Sequence, residues 1–138
     1  MTIDELRTER YRTKINYIVE NMKDLPLKFK NELEKRGIFY SLQTSIESLV
    51  DIIAMLIKDL GIEVKDDTSN IEEIVKKKKL SSEMEDNLKK ANGMRNLIVH
   101  RYNSINEKLI LDSVKDVKKL IFDWLEVVEE LLSELSKN

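Results

Sequence analysis

The stretch that decides the fold is residues 39–60, FYSLQTSIESLVDIIAMLIKDL. Large apolar residues recur in it at alternating steps of three and four, at positions 39, 42, 46, 49, 53, 56 and 60. That spacing places them on one face of an α-helix, which must pack against other helices. Because Val50, Ala54 and Ile57 widen this apolar face, we expect the helix to contact more than one neighbour.

The chain before this stretch predicts one further helix and a short helical piece. A capping box at residues 2–5 (TIDE) predicts where the first helix begins, and Pro26 marks its end. The short piece is expected over residues 27–36, interrupted or bent at Gly37. At the other end of the long stretch, Gly61 is expected to cap the helix.

The second half of the chain predicts three more helices. Ser69 or Asn70 is expected to begin a short helix, and a capping box at residues 82–85 (SEME) begins the next one, which ends near Tyr102. Residues 103–106 predict a turn. The last helix then carries apolar residues at steps of three and four almost to the end of the sequence.

The composition agrees with a single helical domain. Of the 138 residues only 3 are Gly and 1 is Pro, so few residues are available to build turns. Charged residues make up 36% and apolar residues 41%, which suits amphipathic helices and argues against disorder. We therefore predict one all-α domain over residues 1–138, an up-and-down bundle of four to five helices.

The composition also excludes several kinds of chemistry. Because the chain has no Cys, disulfides, thiolate nucleophiles and Cys-rich zinc sites are excluded. We expect a cytoplasmic protein without membrane contact, since the first residues are too charged for a signal peptide and no stretch approaches a membrane span. A net charge of −2 gives no general attraction to nucleic acid.

Basic residues are concentrated in one segment. Residues 76–101 carry 8 basic and 3 acidic side chains. The four consecutive lysines at 76–79 fit either a solvated helix end or a surface that attracts phosphates near the stretch described next.

Residues 94–102, MRNLIVHRY, form the segment that can carry chemistry. On a helix Asn96 and His100 lie about 40° apart, and Arg95 and Tyr102 lie about 20° apart. A cation, an amide, an imidazole and a phenol therefore share one polar sector. Histidine can act as base or acid near neutral pH, and the planar fork of arginine suits a phosphate.

The same residues also allow a purely structural interpretation. Arg95 is in step with the apolar positions of its helix, and a buried charge without a partner is very costly. Glu47 and Asp51, one turn apart on the long helix, are candidate partners for it. In this interpretation His100 simply caps the helix end, and Tyr102 is a half-buried aromatic residue.

Residues 95–102 resemble the R-x4-H-x-Y motif of HEPN domains, in particular that of the HepT-like toxins. Residues 39–51 resemble the long second helix of that branch, and the order of helices is similar over roughly residues 3–132. The resemblance implies a small all-α homodimer whose motif helices meet at the two-fold axis. It also implies an endoribonuclease that needs neither a metal ion nor another cofactor.

The resemblance further implies roles for the motif residues. Arg95 and His100 would be catalytic, with Asn96 in support. An antitoxin of the minimal nucleotidyltransferase (MNT) type would adenylylate Tyr102 and thereby silence the toxin. Three other basic residues are weaker candidates for contacts with the RNA backbone: Lys89, Lys90 and Arg101.

The single histidine has a consequence for any nuclease mechanism. One imidazole cannot be base and acid at once in a concerted step, whereas a two-fold dimer would supply two. Two alternatives stay open at the level of sequence. The chain could be a non-catalytic, substrate-binding helical subunit that pairs with a nucleotidyltransferase, or a plain dimeric bundle.

Overall fold

The computed structural model describes residues 2–100 and 104–136, and of residues 104–106 only the backbone. Within these residues the chain forms five helices and no strand, which confirms the all-α prediction. The helices, in chain order, are α1 (Glu5–Lys23), α2 (Glu32–Asp59), α3 (Asp67–Lys78), α4 (Ser82–Val99) and α5 (Ser104–Leu135).

Helix α2 is the centre of the bundle. It packs against α1, α3 and α4, as the width of its apolar face predicted. By length and composition α2 could also cross a membrane, so the expectation that no stretch approaches a membrane span is wrong. Half of its most apolar part is buried inside the bundle, which is what the core helix of a helical protein requires.

The predicted beginning of α1 is wrong by two residues. Asp4, not Thr2, is the N-cap, and its carboxylate accepts a hydrogen bond from the backbone N–H of Arg7 at 2.8 Å. Ile3, which lies between Thr2 and Asp4, donates its N–H to the carbonyl of Leu135 at 3.0 Å. This part of the chain is therefore hydrogen-bonded to the end of α5 and does not belong to α1.

The short helical piece predicted before α2 is also wrong. The helix begins only at Glu32, where the Asn31 side chain caps it, and it runs through Gly37 without interruption. Ile38 and Phe39, directly after the glycine, are buried, and their packing in the core stabilises this part of the helix. Gly61 does end α2 as expected, since it adopts a positive φ of 79° directly after the C-cap residue.

Helices α3 and α4 begin earlier than predicted. Asp66 caps α3, because the predicted cap Asn70 is buried and bonds both backbone groups of Lys65. Ser81, one residue before the predicted serine, caps α4.

The connection between α4 and α5 lies earlier in the chain than predicted. Helix α4 ends at Val99, before the predicted end near Tyr102. Helix α5 begins at Ser104, so residues 104–106 are helical and not part of a turn.

Candidate functional site

The motif residues lie at the C-terminal end of α4. Arg95 and Asn96 belong to its last two turns, and His100 is the C-cap, whose backbone N–H donates to the carbonyl of Asn96 at 3.1 Å. Asn96 and His100 are exposed, whereas the Arg95 side chain is only 32% exposed. The predicted residues Arg101 and Tyr102 lie outside the described residues.

The Arg95 guanidinium has one hydrogen bond and one long ion pair. Its Nη1 donates to Oδ1 of Asn96 at 3.2 Å, and its Nε lies 3.8 Å from Oε1 of Glu47 on α2. A separation of 3.8 Å is too long for a hydrogen bond, although the opposite charges still attract. Glu47 itself accepts a hydrogen bond from Gln43 at 3.0 Å. Glu47, one of the two predicted partners, therefore lies beside Arg95 but forms only a long ion pair with it.

The other predicted partner of Arg95 is elsewhere. Asp51 lies 3.2 Å from Nζ of Lys14 on α1. The two acids are one turn apart on α2, which packs against both α1 and α4, and they pair with residues of different helices. Of the two alternatives that the sequence left open for Arg95, the structure shows Glu47.

Two polar atoms on this face of α4 are buried without a hydrogen-bond partner among the described residues. They are Nε of Arg95 and Oδ1 of Asn92. The two residues are three positions apart and so lie on the same face of the helix. Nearly all buried polar atoms in proteins are hydrogen-bonded, so these two atoms are exceptions, and both are shielded from solvent by the chain itself.

The lysines predicted to contact RNA differ in their availability. The Lys89 ammonium lies 3.0 Å from carboxylate oxygens of both Glu72 and Glu85, and these bonds raise its pKa. Lys89 therefore joins α3 to α4, and its predicted contact with the RNA backbone stays a prediction. Lys90 is exposed on α4.

The four consecutive lysines do not flank the motif. Residues 76–79 form the end of α3, and Lys78 pairs with Glu134 at 2.9 Å. Because α4 begins only at Ser82, Arg95 lies about 20 Å further along the axis of that helix. The lysine run and the motif are close in sequence, but the run lies near the beginning of α4 and the motif at its end. The run is therefore too far from the motif to attract a phosphate to it.

A second polar cluster, which the sequence did not reveal, lies where the start of α1 meets the end of α2. Oδ2 of Asp59 accepts hydrogen bonds from the Tyr11 hydroxyl at 2.6 Å and from Nε of Arg7 at 2.9 Å. Burial, and then the bond to Asp59, raises the pKa of Tyr11; the same carboxylate raises the pKa of Arg7. Arg7 and Tyr11 share a helix face, but nothing local pointed to Asp59, which is 48 residues beyond Tyr11.

Within the described ranges, 2–100 and 104–136, no three His, Asp or Glu side chains cluster in a way that could hold a metal ion. The polar groups of the motif itself are instead a guanidinium, an amide and an imidazole. These are groups that bind anions and transfer protons.

The fold and this site define a small helical protein with an Arg–Asn–His cluster at the exposed end of one helix. The chain belongs to the ribonuclease HepT-like family, whose model matches residues 8–131. The family predicted from the motif is thereby confirmed, and with it the nuclease class.

Similar proteins agree with this assignment. A protein of Archaeoglobus fulgidus that is provisionally named an RNase is 46% identical over 130 residues, which cover 94% of this chain and 98% of the relative. A second protein of that organism, with the same provisional name, is 30% identical over 133 residues, or 96% of this chain and 98% of the relative. No solved structure matches the chain significantly.

Proposed function

We propose that this protein is an endoribonuclease that cleaves RNA without a metal ion and acts as the toxin of a toxin–antitoxin pair. Arg95 and His100 are the catalytic residues in this proposal, and Asn96 supports them. The observation that carries it is the loosely paired guanidinium of Arg95, which is 32% exposed, lies 3.8 Å from Glu47 and belongs to the helix that ends at the exposed His100.

The arrangement suits the charges that develop when RNA is cleaved. The ribose 2′-hydroxyl must lose a proton, the phosphorane must be stabilised, and the leaving 5′-oxygen must gain a proton. His100 can perform either proton transfer, because imidazole titrates near neutral pH. Arg95 can donate to the phosphorane, and its partly exposed pair with Glu47 is worth only about 0–1 kcal/mol, so a phosphate can replace the carboxylate.

The proposed working unit is a homodimer with the active site at the two-fold interface. A single chain holds one histidine, whereas concerted cleavage uses a base and an acid. A second copy would supply a second His100.

The proposed regulation acts at Tyr102. An MNT-type nucleotidyltransferase antitoxin would transfer AMP to its hydroxyl, two residues beyond His100 in the chain. The added phosphate would place negative charge and bulk beside the catalytic arginine, where it would compete with the phosphate of RNA.

Cleavage of RNA in the presence of a chelator tests the catalytic proposal. We expect wild type to cleave, and Arg95→Ala and His100→Ala each to lose at least about a hundredfold in rate, as is usual when a catalytic acid or base is removed. Arg10→Ala is the matched control, because Arg10 is an exposed arginine on α1. If all four proteins cleave equally, or none cleaves, the chain is instead a non-catalytic subunit that pairs with a nucleotidyltransferase.

Coexpression with the nucleotidyltransferase encoded next to the gene tests the regulation. Mass spectrometry should then show one added AMP on wild type and none on Tyr102→Phe, and only the wild type should lose its toxicity. Unmodified Tyr102 in a protein whose toxicity has been abolished would contradict the proposal.

A further inference from the structure

A groove lies between the segment that joins α1 to α2 and the first turns of α5. It encloses about 520 Å³. Leu27, Phe29 and Leu111 form its apolar walls, and Lys28 and Lys108 lie along it. We refer to it below as the Phe29 groove.

Phe29 is unusually exposed for a large aromatic residue, with 43% of its surface accessible. One side of its ring is occupied by the Lys35 ammonium, 5.8 Å from the ring centroid. Lys35 is in turn held by Glu32 at 3.0 Å and by Glu107 at 3.2 Å. The ring is therefore supported on one side, while much of its surface remains open to a ligand.

The charges at the Phe29 groove have a small positive balance. Two kinds of charged residue line it: the lysines Lys28, Lys35 and Lys108, and the acids Glu107 and Asp112. Beside this lining, Lys30 adds an exposed positive charge and Glu32, which pairs with Lys35, adds a negative one.

The Phe29 groove lies within reach of the motif along one RNA strand. Three residues of chain join His100 to Ser104, and the four Cα–Cα steps between them span at most about 14 Å even when extended. Lys108 lies one helical turn beyond Ser104, about 6 Å along α5. The Cα atoms of Lys108 and His100 are therefore within about 20 Å of each other, a distance that one RNA strand can bridge.

We propose that the Phe29 groove binds the RNA strand that is cleaved at His100. Phe29 stacks on one unpaired base, and Lys28 and Lys108 contact the phosphates on either side of it. Single-stranded RNA is commonly bound in this way, by bases on aromatic rings within a basic groove. The inference rests on the proposed ribonuclease function and assigns that function a substrate-binding site outside the motif.

Substitutions at Phe29 distinguish stacking from simple apolar contact. Binding of a short fluorescent single-stranded RNA is measured in a His100→Ala background, so that the RNA is not cut. Phe29→Leu keeps an apolar side chain but removes the ring, and we expect affinity to fall about five- to a hundredfold. Phe29→Trp keeps a ring and should bind at least as well as Phe29. Leu6→Ala, at the exposed start of α1, is the control.

The salt dependence of binding tests the two lysines independently of Phe29. The double variant Lys28→Ala/Lys108→Ala should lower the slope of log K against log salt concentration by about 1.4, since each phosphate contact on a single strand contributes about 0.7. Lys58→Ala/Lys65→Ala is the matched control, because both lysines are exposed and lie at or just beyond the far end of α2. Thermal melting of every variant confirms that it is folded.

The outcomes separate this inference from the proposed function. If the folded Phe29→Leu binds RNA as tightly as Phe29 and the salt slope is unchanged, the inference is overturned. It is equally overturned if Phe29→Leu binds RNA normally but no longer binds the nucleotidyltransferase, because the groove is then a protein-docking surface. If wild type fails to cleave RNA but binds it in a Phe29-dependent way, the groove stands and the catalytic proposal fails.

Discussion

Two polar clusters on α2 contain the same kinds of groups and differ in how fully those groups are satisfied. At the end of the helix, Asp59 binds Arg7 and Tyr11 at 2.9 and 2.6 Å. In its middle, Glu47 approaches Arg95 only to 3.8 Å. The Asp59 side chain is 13% exposed and that of Glu47 is 42% exposed.

The difference shows which cluster holds the fold together and which is available for a ligand. A carboxylate that accepts two short hydrogen bonds away from solvent stabilises the packing of α1 on α2, and removing it leaves two donors unpaired. A long, half-exposed ion pair contributes little to folding and is easily exchanged for another anion. The cluster near the motif thus has the character of a binding site, and the one at Asp59 that of a structural link.

The largest expected effect on stability is at Asp59. We expect Asp59→Ala to lower the free energy of unfolding by about 2–3 kcal/mol, because the Arg7 and Tyr11 donors lose a charged acceptor. Glu47→Ala should lower it by less than about 1 kcal/mol. Urea unfolding of the two variants measures both values. Equal losses would mean that the two clusters do not differ in the way their geometry indicates.

The next effect is at Tyr11 and depends on pH. Tyr11→Phe should lower the free energy of unfolding by about 1 kcal/mol at neutral pH, because one hydrogen bond to Asp59 is lost. The fold raises the pKa of Tyr11 above its ordinary value of 10.0, so this stabilisation is complete below pH 10 and is lost as the pH rises further.

The gap between wild type and Tyr11→Phe should accordingly narrow above pH 10. Denaturant melts at pH 8 and at successively higher pH, run on both proteins in parallel, follow that gap. A gap that stays constant through the alkaline range would show that the fold does not raise the pKa of Tyr11.

Sequence patterns predicted the helices because periodicity depends only on neighbouring positions of one helix. The apolar spacing of residues 39–60 identified α2 and its role as the central helix. The patterns failed at helix beginnings, where several capping residues compete. Asp66 was missed as a cap because Asn70, an equally good candidate by type, has its side chain engaged with the backbone of Lys65.

The candidate site was predictable to the extent that it is local to α4. Arg95, Asn96 and His100 follow from one motif, and Glu47 from the need of Arg95 for a partner. Asp51 was indistinguishable from Glu47 by spacing, since only the position of Lys14 on another helix separates them. The Asp59 cluster and the Phe29 groove could not be predicted, because both join segments distant in sequence.

A smaller effect is expected at Asn92, whose Oδ1 is buried without a hydrogen-bond partner among the described residues. Asn92→Ala removes this unsatisfied group and should leave the free energy of unfolding unchanged or slightly higher.

Urea unfolding of wild type and Asn92→Ala measures that change. Asn87→Ala, on the same helix but lining the groove beside α5, is the control. A clear loss of stability in Asn92→Ala alone would show that the side chain of Asn92 does have a partner.

The smallest expected effect on folding is at Glu47, and it separates stability from ligand binding at one position. Glu47→Gln keeps the size of the side chain and its ability to accept from Gln43, but it removes the charge 3.8 Å from Arg95. The free energy of unfolding should change by less than about 0.5 kcal/mol, because the pair is long and partly exposed.

RNA should bind to Glu47→Gln about two- to threefold more tightly, since the phosphate no longer competes with a carboxylate for Arg95. Anisotropy in the His100→Ala background measures the affinity, and Glu63→Gln, an exposed acid in the segment between α2 and α3, controls for the change in net charge. Weaker binding by Glu47→Gln would instead mean that Glu47 orients Arg95 toward the phosphate, and the cluster would then be preorganised and not merely open.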